Sequence, residues 1–198
     1  MIQKELEALC KKLEHFETPL WAVDEILSRE ILTENVVDPC VGAGVLSRAL
    51  KSHKYNVASY DIHDWGYPDT IVKDFLDLDG YDIQNVEFSI LMNPPFSLAE
   101  DFVKKGFSLG ARKIVMFQRF SFWESQTRSK FWNEFPPNRI YVCGDRADCW
   151  RYDLPKDDKG NRYDPVTGKK LSSTPTAHAW FVFEQGQPTG TVLGHIRK

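Results

Sequence analysis

Short apolar segments alternate with amphipathic segments along most of the chain. The apolar segments are rich in Val, Ile and Phe and end at Gly, Pro, Asp or Asn, which is typical of buried strands. Strands that alternate with helices predict an α/β fold, with a mostly parallel sheet and helices on both of its faces. Seven strands are predicted, over residues 35–39, 55–62, 70–76, 86–93, 112–119, 139–145 and 177–185.

Two helical patterns precede the first predicted strand. Residues 2–15 carry apolar side chains at helical spacing, which predicts an amphipathic N-terminal helix. Pro19 is well placed at the start of a second helix, with Thr18 as its N-cap. The polar residues 145–176, rich in Gly, Pro, Asp and Lys, predict an insertion between the last two strands. No boundary is visible, so residues 1–198 are predicted to form one domain.

The composition is that of an ordinary water-soluble domain, with 42 % hydrophobic and 27 % charged residues. No apolar segment approaches the roughly 20 residues that cross a bilayer. The charged start of the chain does not resemble a signal peptide, so we expect a cytoplasmic protein without a membrane partner. The four cysteines lack the spacing of a zinc site and are predicted to be free thiols, with no metal.

The charges are distributed unevenly between the two halves of the chain. Residues 1–103 hold 8 basic and 19 acidic residues, net −11, whereas residues 104–198 hold 17 and 9, net +8. A basic half inside one domain predicts a face that meets a polyanion. The side chains predicted to hold phosphates are Lys104, Lys105, Arg112, Arg119, Arg128, Lys130 and Arg139.

The segment "DPCVGAG" lies between the first main strand and a helix. Gly42 and Gly44 allow the backbone to turn tightly and to approach a ligand closely. The third glycine of a dinucleotide-binding turn is replaced by Ser47, and the sequence contains no P-loop. Asp38 and Pro39, which open the turn, are predicted to belong to the same ligand pocket.

Acidic residues follow the next two predicted strands. Asp61, followed by Ile62, ends the second strand, where a carboxylate can accept hydrogen bonds from both hydroxyls of a ribose. Asp74 and Phe75 follow the third strand, where a carboxylate can bind an adenine amine and a ring can border the base. An acidic pocket disfavours phosphates and favours a cationic nucleoside, so we expect the cofactor S-adenosylmethionine.

The fourth strand ends in "NPPF", and two consecutive prolines belong neither to a central strand nor to a helix interior. The side-chain oxygen of Asn93 and the carbonyl of Pro94 are predicted to accept hydrogen bonds from an exocyclic amine, which frees the nitrogen lone pair. Pro94 and Pro95 fix the direction of the backbone. Phe96 offers a face on which a base can stack. Attack on a sulfonium methyl group needs positioning more than acid–base help.

The order "ETP", "DPCVGAG", "YDI", "KDF" and "NPPF" resembles the amino-group methyltransferases of nucleic acids, especially N6-adenine DNA methyltransferases of the gamma arrangement. The segments "QRFSFW" and "HAWFVF" resemble the small phage and prophage members. The resemblance spans about residues 16–184 and implies a Rossmann-like class I methyltransferase fold. Large members carry a separate target-recognition domain, whereas only 14 residues follow Glu184 here.

The resemblance also implies roles for individual residues. Thr18 and Pro19 are expected near the methionine end of the cofactor, and Asp61 is expected at its ribose. The remaining implied contacts are the cofactor adenine for Asp74 and Phe75, and the target base for Asn93, Pro94, Pro95 and Phe96.

These observations predict methyl transfer from S-adenosylmethionine to the N6 amine of adenine in DNA, from a base taken out of the duplex or in a single strand. Four alternatives stay open: adenine in RNA, the side-chain amide of a protein glutamine, cytosine N4, and a binding module without catalysis. Glutamine needs no basic face, and the cytosine enzymes more often begin the motif with Ser than with Asn. The sequence does not indicate an oligomeric state.

Overall fold

Eight strands form one mixed sheet in the computed structural model, which describes residues 3–83, 86–124, 126–173, 176–186 and 190–198. The strands of this sheet are β2 Asn35–Asp38, β3 Asn56–Asp61, β4 Thr70–Val72, β5 Phe88–Met92, β6 Lys113–Arg119, β7 Arg139–Cys143, β9 His178–Glu184 and β10 Val192–Ile196. Their spatial order is β10-β7-β9-β6-β5-β2-β3-β4. All neighbours are parallel except β9, which runs antiparallel to both β6 and β7.

The predicted α/β fold with a mostly parallel sheet is confirmed, with one strand more than the seven predicted. The additional strand is β10, which pairs in parallel with β7 at one side of the sheet. Val192 and Leu193 are exposed there, and only Ile196 is buried. An edge strand of this kind has no continuous apolar run, so the sequence pattern gives little sign of it.

Helices cover both faces of the sheet, as predicted. The helices are α1 Gln3–Lys12, α2 Leu20–Leu27, α3 Val45–Ser52, α4 Ala99–Ser108 and α5 Ser129–Glu134. Helices α4 and α5 pack on one face, where Ile90 points, and α2 and α3 pack on the other, where Leu91 points. This alternation follows from the two-residue period of a strand. Of the predicted N-terminal helix 2–15, Ile2 lies outside the described residues.

The start of α2 differs from the prediction. Pro19 occupies the N-cap position and no side chain caps the helix. The hydroxyl oxygen of Thr18 is buried and has no hydrogen-bond partner among the described residues. Thr18 is therefore not the N-cap that the sequence predicted.

Residues 145–176, predicted as a polar insertion, contain a short strand and are tied to the chain start. In a two-stranded ladder, β1 (Phe16–Glu17) pairs antiparallel with β8 (Trp150–Arg151). Arg162 is buried and forms an ion pair with Glu17. Among the residues that the structure describes, no helix is long and apolar enough to cross a membrane.

Candidate active site

A cavity opens where β2, β3 and β5 end, on the edge of the sheet that we call the carboxyl edge; the opposite edge is the amino edge. About 960 Å³ of empty space, part of it open to solvent, lies within this first cavity. Eight of the eleven predicted cofactor-site residues line it: Thr18, Pro39, Gly42, Asp61, Ile62, Asp74, Phe75 and Asn93. The structure thus brings together residues from five separate segments. Pro19, Asp38 and Gly44 do not line the cavity.

The glycine turn packs closely against aromatic rings. Gly42 and Gly44 have φ values of +52° and +85°, a region that other residues rarely adopt. A Cβ atom at Gly42 would lie 2.6 Å from the Nε2 atom of His15, and one at Gly44 would lie 2.3 Å from the Tyr67 ring. Gly42 therefore shapes the cavity wall, whereas Gly44 serves the packing behind the turn.

Asp38 is buried beneath the turn rather than exposed in the cavity, which corrects its predicted place in the pocket. Its Oδ2 atom accepts a hydrogen bond of 2.7 Å from Ser47, whose hydroxyl also lies 2.7 Å from that of Ser59. Ser47, at the position of the missing third glycine, thus connects the helix to the strand end. Burial raises the pKa of the Asp38 carboxyl to about 7.

Asp61 is the acceptor at the centre of the first cavity. Its Oδ2 atom accepts from the backbone N–H of Gly42 at 2.9 Å. Its Oδ1 atom accepts from the backbone N–H of His63 at 3.1 Å and from the indole of Trp65 at 3.2 Å. Burial raises the pKa of Asp61, and these three hydrogen bonds oppose the rise. Because a carboxylate offers about four acceptor positions, one remains on Oδ2 for a further donor.

Asp74 and Phe75 form the far wall of the first cavity. The Asp74 side chain accepts from the backbone N–H of Leu76 at 2.9 Å and so caps a short 3₁₀ turn. Phe75 is buried and its ring centroid lies 5.1 Å from that of Phe102. Packing holds the ring in place at the cavity wall.

Sequence reasoning missed the wall formed by residues 12–17. Glu14 has the uncommon φ of +50°, and its carboxylate accepts from the N–H of Ser97 at 2.9 Å and the hydroxyl of Ser97 at 2.8 Å. The His15 ring lies 4.1 Å from Trp65 and 4.6 Å from Tyr152. Burial lowers the pKa of His15 to about 4, so this ring is neutral near pH 7.

Asn93 lines the first cavity, and its hydrogen-bond partner Phe16 lines both that cavity and a second one. Its Nδ2 atom donates to the carbonyl of Phe16 at 2.9 Å, which orients the amide and leaves Oδ1 as a hydrogen-bond acceptor. Burial raises the pKa of the Cys149 thiol to about 12, and the adjacent Asn93 side chain opposes that rise. Pro94 is buried, and no hydrogen bond between described residues uses its carbonyl. Pro95 lines the first cavity.

Phe96 lines the second cavity, together with Phe16, Arg119, Cys149, Trp150, Arg151, Leu154, Thr176 and His178. The Phe96 ring lies 5.4 Å from the ring of Phe16, and the Arg119 guanidinium lies 4.3 Å from its centroid. Burial and the charge of Arg119 lower the pKa of His178 to about 4. The predicted stacking ring is therefore already in contact with two side chains.

The predicted set of phosphate-binding residues does not form one face. Arg112 and Arg139 adjoin the starts of their strands and lie at the amino edge, away from both cavities. Arg112 pairs with Glu87 at 2.8 Å. Arg128 and Lys104 pair with Glu100, at 3.1 and 3.8 Å. Of the set, Arg119 is the member that lines a cavity at the carboxyl edge, and Arg112 and Arg139 lie outside that candidate site.

The four cysteines are free, as predicted. Within the described ranges, no group of three or more His, Cys, Asp or Glu side chains is arranged to hold a metal ion.

No family model and no curated protein matches the chain. A modification subunit from a candidate type I restriction enzyme of Vibrio vulnificus superimposes with a TM-score of 0.59 at 14 % identity, over 99 % of this chain and 53 % of that one. This chain thus spans about half of the Vibrio subunit. A candidate RNA methyltransferase of Pyrococcus horikoshii gives 0.53 at 16 % identity, covering 92 % and 97 %.

A candidate class I S-adenosylmethionine-dependent methyltransferase of Listeria monocytogenes gives a TM-score of 0.55 at 12 % identity, over 98 % of this chain and 72 % of that one. Likeness at such identities shows the fold alone. The fold is that of the class I S-adenosylmethionine-dependent methyltransferases, in agreement with the Rossmann-like sheet expected from the sequence.

Proposed function

We propose that this protein transfers a methyl group from S-adenosylmethionine to the exocyclic N6 amine of adenine in DNA. The observation that carries the proposal is the position of Asn93, which lines the first cavity and donates a hydrogen bond to Phe16, a residue that lines both cavities at the carboxyl edge. Its amide is oriented by the Phe16 carbonyl, so its Oδ1 atom is presented as an acceptor. A donor site on one side and a stacking ring on the other are what transfer between two bound molecules requires.

The lining of the first cavity suits the chemistry of the proposed cofactor. Asp61 keeps one acceptor position for a ribose hydroxyl, and Asp74 with Phe75 borders the position of an adenine ring. The buried hydroxyl of Thr18, which has no partner among the described residues, is available to the methionine end. The cofactor supplies an electrophilic methyl group on a positively charged sulfur.

The residues of the motif then act on the acceptor amine. The Oδ1 atom of Asn93 and the carbonyl oxygen of Pro94 accept hydrogen bonds from the two N–H groups of this amine, which favours a tetrahedral nitrogen with a free lone pair. The methyl group would pass from sulfur to this nitrogen with the S–C electron pair staying on sulfur, and the proton lost by the amine would pass to water. Phe96 holds the plane of the base by stacking.

Charge at the second cavity favours a nucleic acid over a protein substrate, and the resemblance of the sequence motifs to N6-adenine DNA methyltransferases favours DNA within that class. Arg119 forms no ion pair with any described acidic residue, and it lies beside the motif. A phosphate-bearing substrate supplies the missing anion, whereas a glutamine side chain does not. Adenine in RNA and cytosine N4 share this chemistry, and assays with DNA and RNA in separate reactions, followed by identification of the methylated base, distinguish them.

The test compares Asn93→Ala with the matched control Asn133→Ala, an exposed asparagine on α5. We expect Asn93→Ala still to bind S-adenosylmethionine in calorimetry, because Asp61, Asp74 and Phe75 remain in the cofactor wall. Methyl transfer to duplex DNA should fall at least a hundredfold, since the lost interaction is strongest in the transition state. Full activity of Asn93→Ala, or equal losses in both variants, would contradict the proposal.

A further inference from the structure

Arg119 differs from the other arginines around the second cavity. Arg151 pairs with Asp153 and lies 3.6 Å from Glu7, and Arg162 pairs with Glu17. Arg119 is exposed at the end of β6 and forms no ion pair with a described residue. Its positive charge is therefore the one left uncompensated among the described arginines of this region.

The contact that Arg119 does make is with the motif itself. Its guanidinium carbon lies 4.3 Å from the centroid of Phe96 and 5.9 Å from that of Phe16. The two rings lie 5.4 Å apart at an interplanar angle of 22°. These three distances place Arg119 and Phe16 on neighbouring sides of Phe96 rather than on opposite faces, so a base can stack on the ring with Arg119 beside it. Phe16 is fixed by the pairing of β1 with β8, whereas Arg119 is exposed and can turn toward a bound nucleotide.

We propose that Arg119 is a substrate-positioning residue that contacts Phe96 in the free protein and binds a backbone phosphate of the nucleotide whose base stacks there. The inference rests on the proposed function and deepens it by naming the nucleotide phosphate as a recognised group. A guanidinium suits both positions, because its plane stacks on a ring and its fork of N–H groups matches a phosphate. Lysine supplies the charge but neither the plane nor the fork.

The experiment measures binding of a fluorescent single-stranded oligonucleotide by anisotropy over a range of KCl concentrations, without turnover. The variants are Arg119→Met, Arg119→Lys and the control Arg112→Met, which removes an exposed arginine at the amino edge. Arg119→Met should weaken binding about tenfold at low salt. It should also lower the slope of log affinity against log salt by about 0.7, the value for one lost phosphate contact.

Arg119→Lys should keep the salt slope but bind more weakly than wild type, and Arg112→Met should match wild type in both measurements. The KM for DNA should rise in Arg119→Met while kcat and the cofactor affinity stay unchanged. An unchanged salt slope in Arg119→Met, or the same loss in Arg112→Met, would overturn the inference. Because binding is measured without turnover, absence of methyl transfer by the wild type would refute the proposed function and leave this result readable.

Discussion

Polar side chains at the two edges of the sheet differ in how far their hydrogen-bonding capacity is used. At the amino edge, the buried carboxylate of Glu30 bonds to Arg139 and Lys113 at 2.8 Å and to Tyr141 at 2.9 Å. Glu184 pairs with the same Arg139 at 2.8 Å. Burial raises the pKa of Glu30, but these partners outweigh it and hold the pKa below its usual value.

The carboxyl edge leaves hydrogen-bonding capacity open. Asn93 presents an acceptor, Asp61 keeps one acceptor position, and the Thr18 hydroxyl is buried without a partner among the described residues. Arg119 contacts rings rather than acids. A buried polar group without a partner destabilises a fold, and a ligand bound at this edge would supply the missing partner. The amino edge thus satisfies its buried carboxylate internally, whereas the carboxyl edge keeps hydrogen-bonding capacity for the ligands proposed above.

The largest effect on stability is expected when Glu30, the central carboxylate of the amino edge, is removed. Glu30→Ala leaves Arg139 and Lys113 without their buried partner and should lower the free energy of unfolding by about 2–4 kcal/mol. The cofactor affinity of the folded fraction should not change. Urea unfolding and calorimetry give the two values. The control Glu25→Ala loses only an exposed pair with Arg29 and should cost about 0–1 kcal/mol. Loss of cofactor affinity in folded Glu30→Ala would show that the edges are not independent.

A smaller effect of the opposite kind is expected at the carboxyl edge. Asp61→Ala should weaken S-adenosylmethionine binding by about 1–3 kcal/mol, because a hydrogen bond to a charged acceptor is lost. Calorimetry measures the affinity, and Asp69→Ala, which removes an exposed carboxylate paired with Lys51, should leave it unchanged. Equal affinity in wild type and folded Asp61→Ala would remove Asp61 from the proposed cofactor site.

The smallest effect is expected for Asp38, whose buried carboxyl should make the stability of the fold depend on pH. Burial raises its pKa from the ordinary 3.8 to about 7, so the folded protein binds this proton more tightly than the unfolded chain. Its contribution to stability is therefore complete below about pH 4 and is lost as the pH rises through 7.

Asp38→Asn keeps an acceptor for Ser47 but cannot titrate. The free energy of unfolding of Asp38→Asn, minus that of wild type, should rise by about 1 kcal/mol for each pH unit between pH 5 and 7. Urea unfolding at several pH values measures the difference. A pH-independent difference would mean that the Asp38 carboxyl does not titrate in this range.

Much of the fold and the placement of most candidate site residues could be predicted, because both depend on local patterns. Strand periodicity located seven of the eight strands of the sheet, and residues that directly follow β2, β3 and β5 meet at one edge of a parallel sheet. Asp61 ends β3 and Asn93 follows β5, so both residues line the first cavity at this edge. Arg112 and Arg139 could have been excluded from the site by the same rule, since they adjoin the starts of strands.

The remaining features depend on contacts between distant residues. The pairing of β1 with β8 joins Phe16 to Arg151 through strands of two residues each, which are too short to show a period. Whether Asp38 faces the ligand or the interior is decided by Ser47 and Ser59 on neighbouring elements. Sequence pattern alone contains no information about either contact.

The most direct test of methyl transfer to DNA adenine traces the methyl group of the cofactor. Wild-type protein is incubated with S-adenosylmethionine labelled in its methyl group and with unmethylated duplex DNA, single-stranded DNA, structured RNA or a glutamine peptide in separate reactions. The products are digested and analysed by mass spectrometry. We predict labelled N6-methyladenine from DNA. Label confined to RNA, to cytosine or to the peptide would contradict the assignment to DNA adenine, and absence of label from all four substrates would contradict methyl transfer to these acceptors.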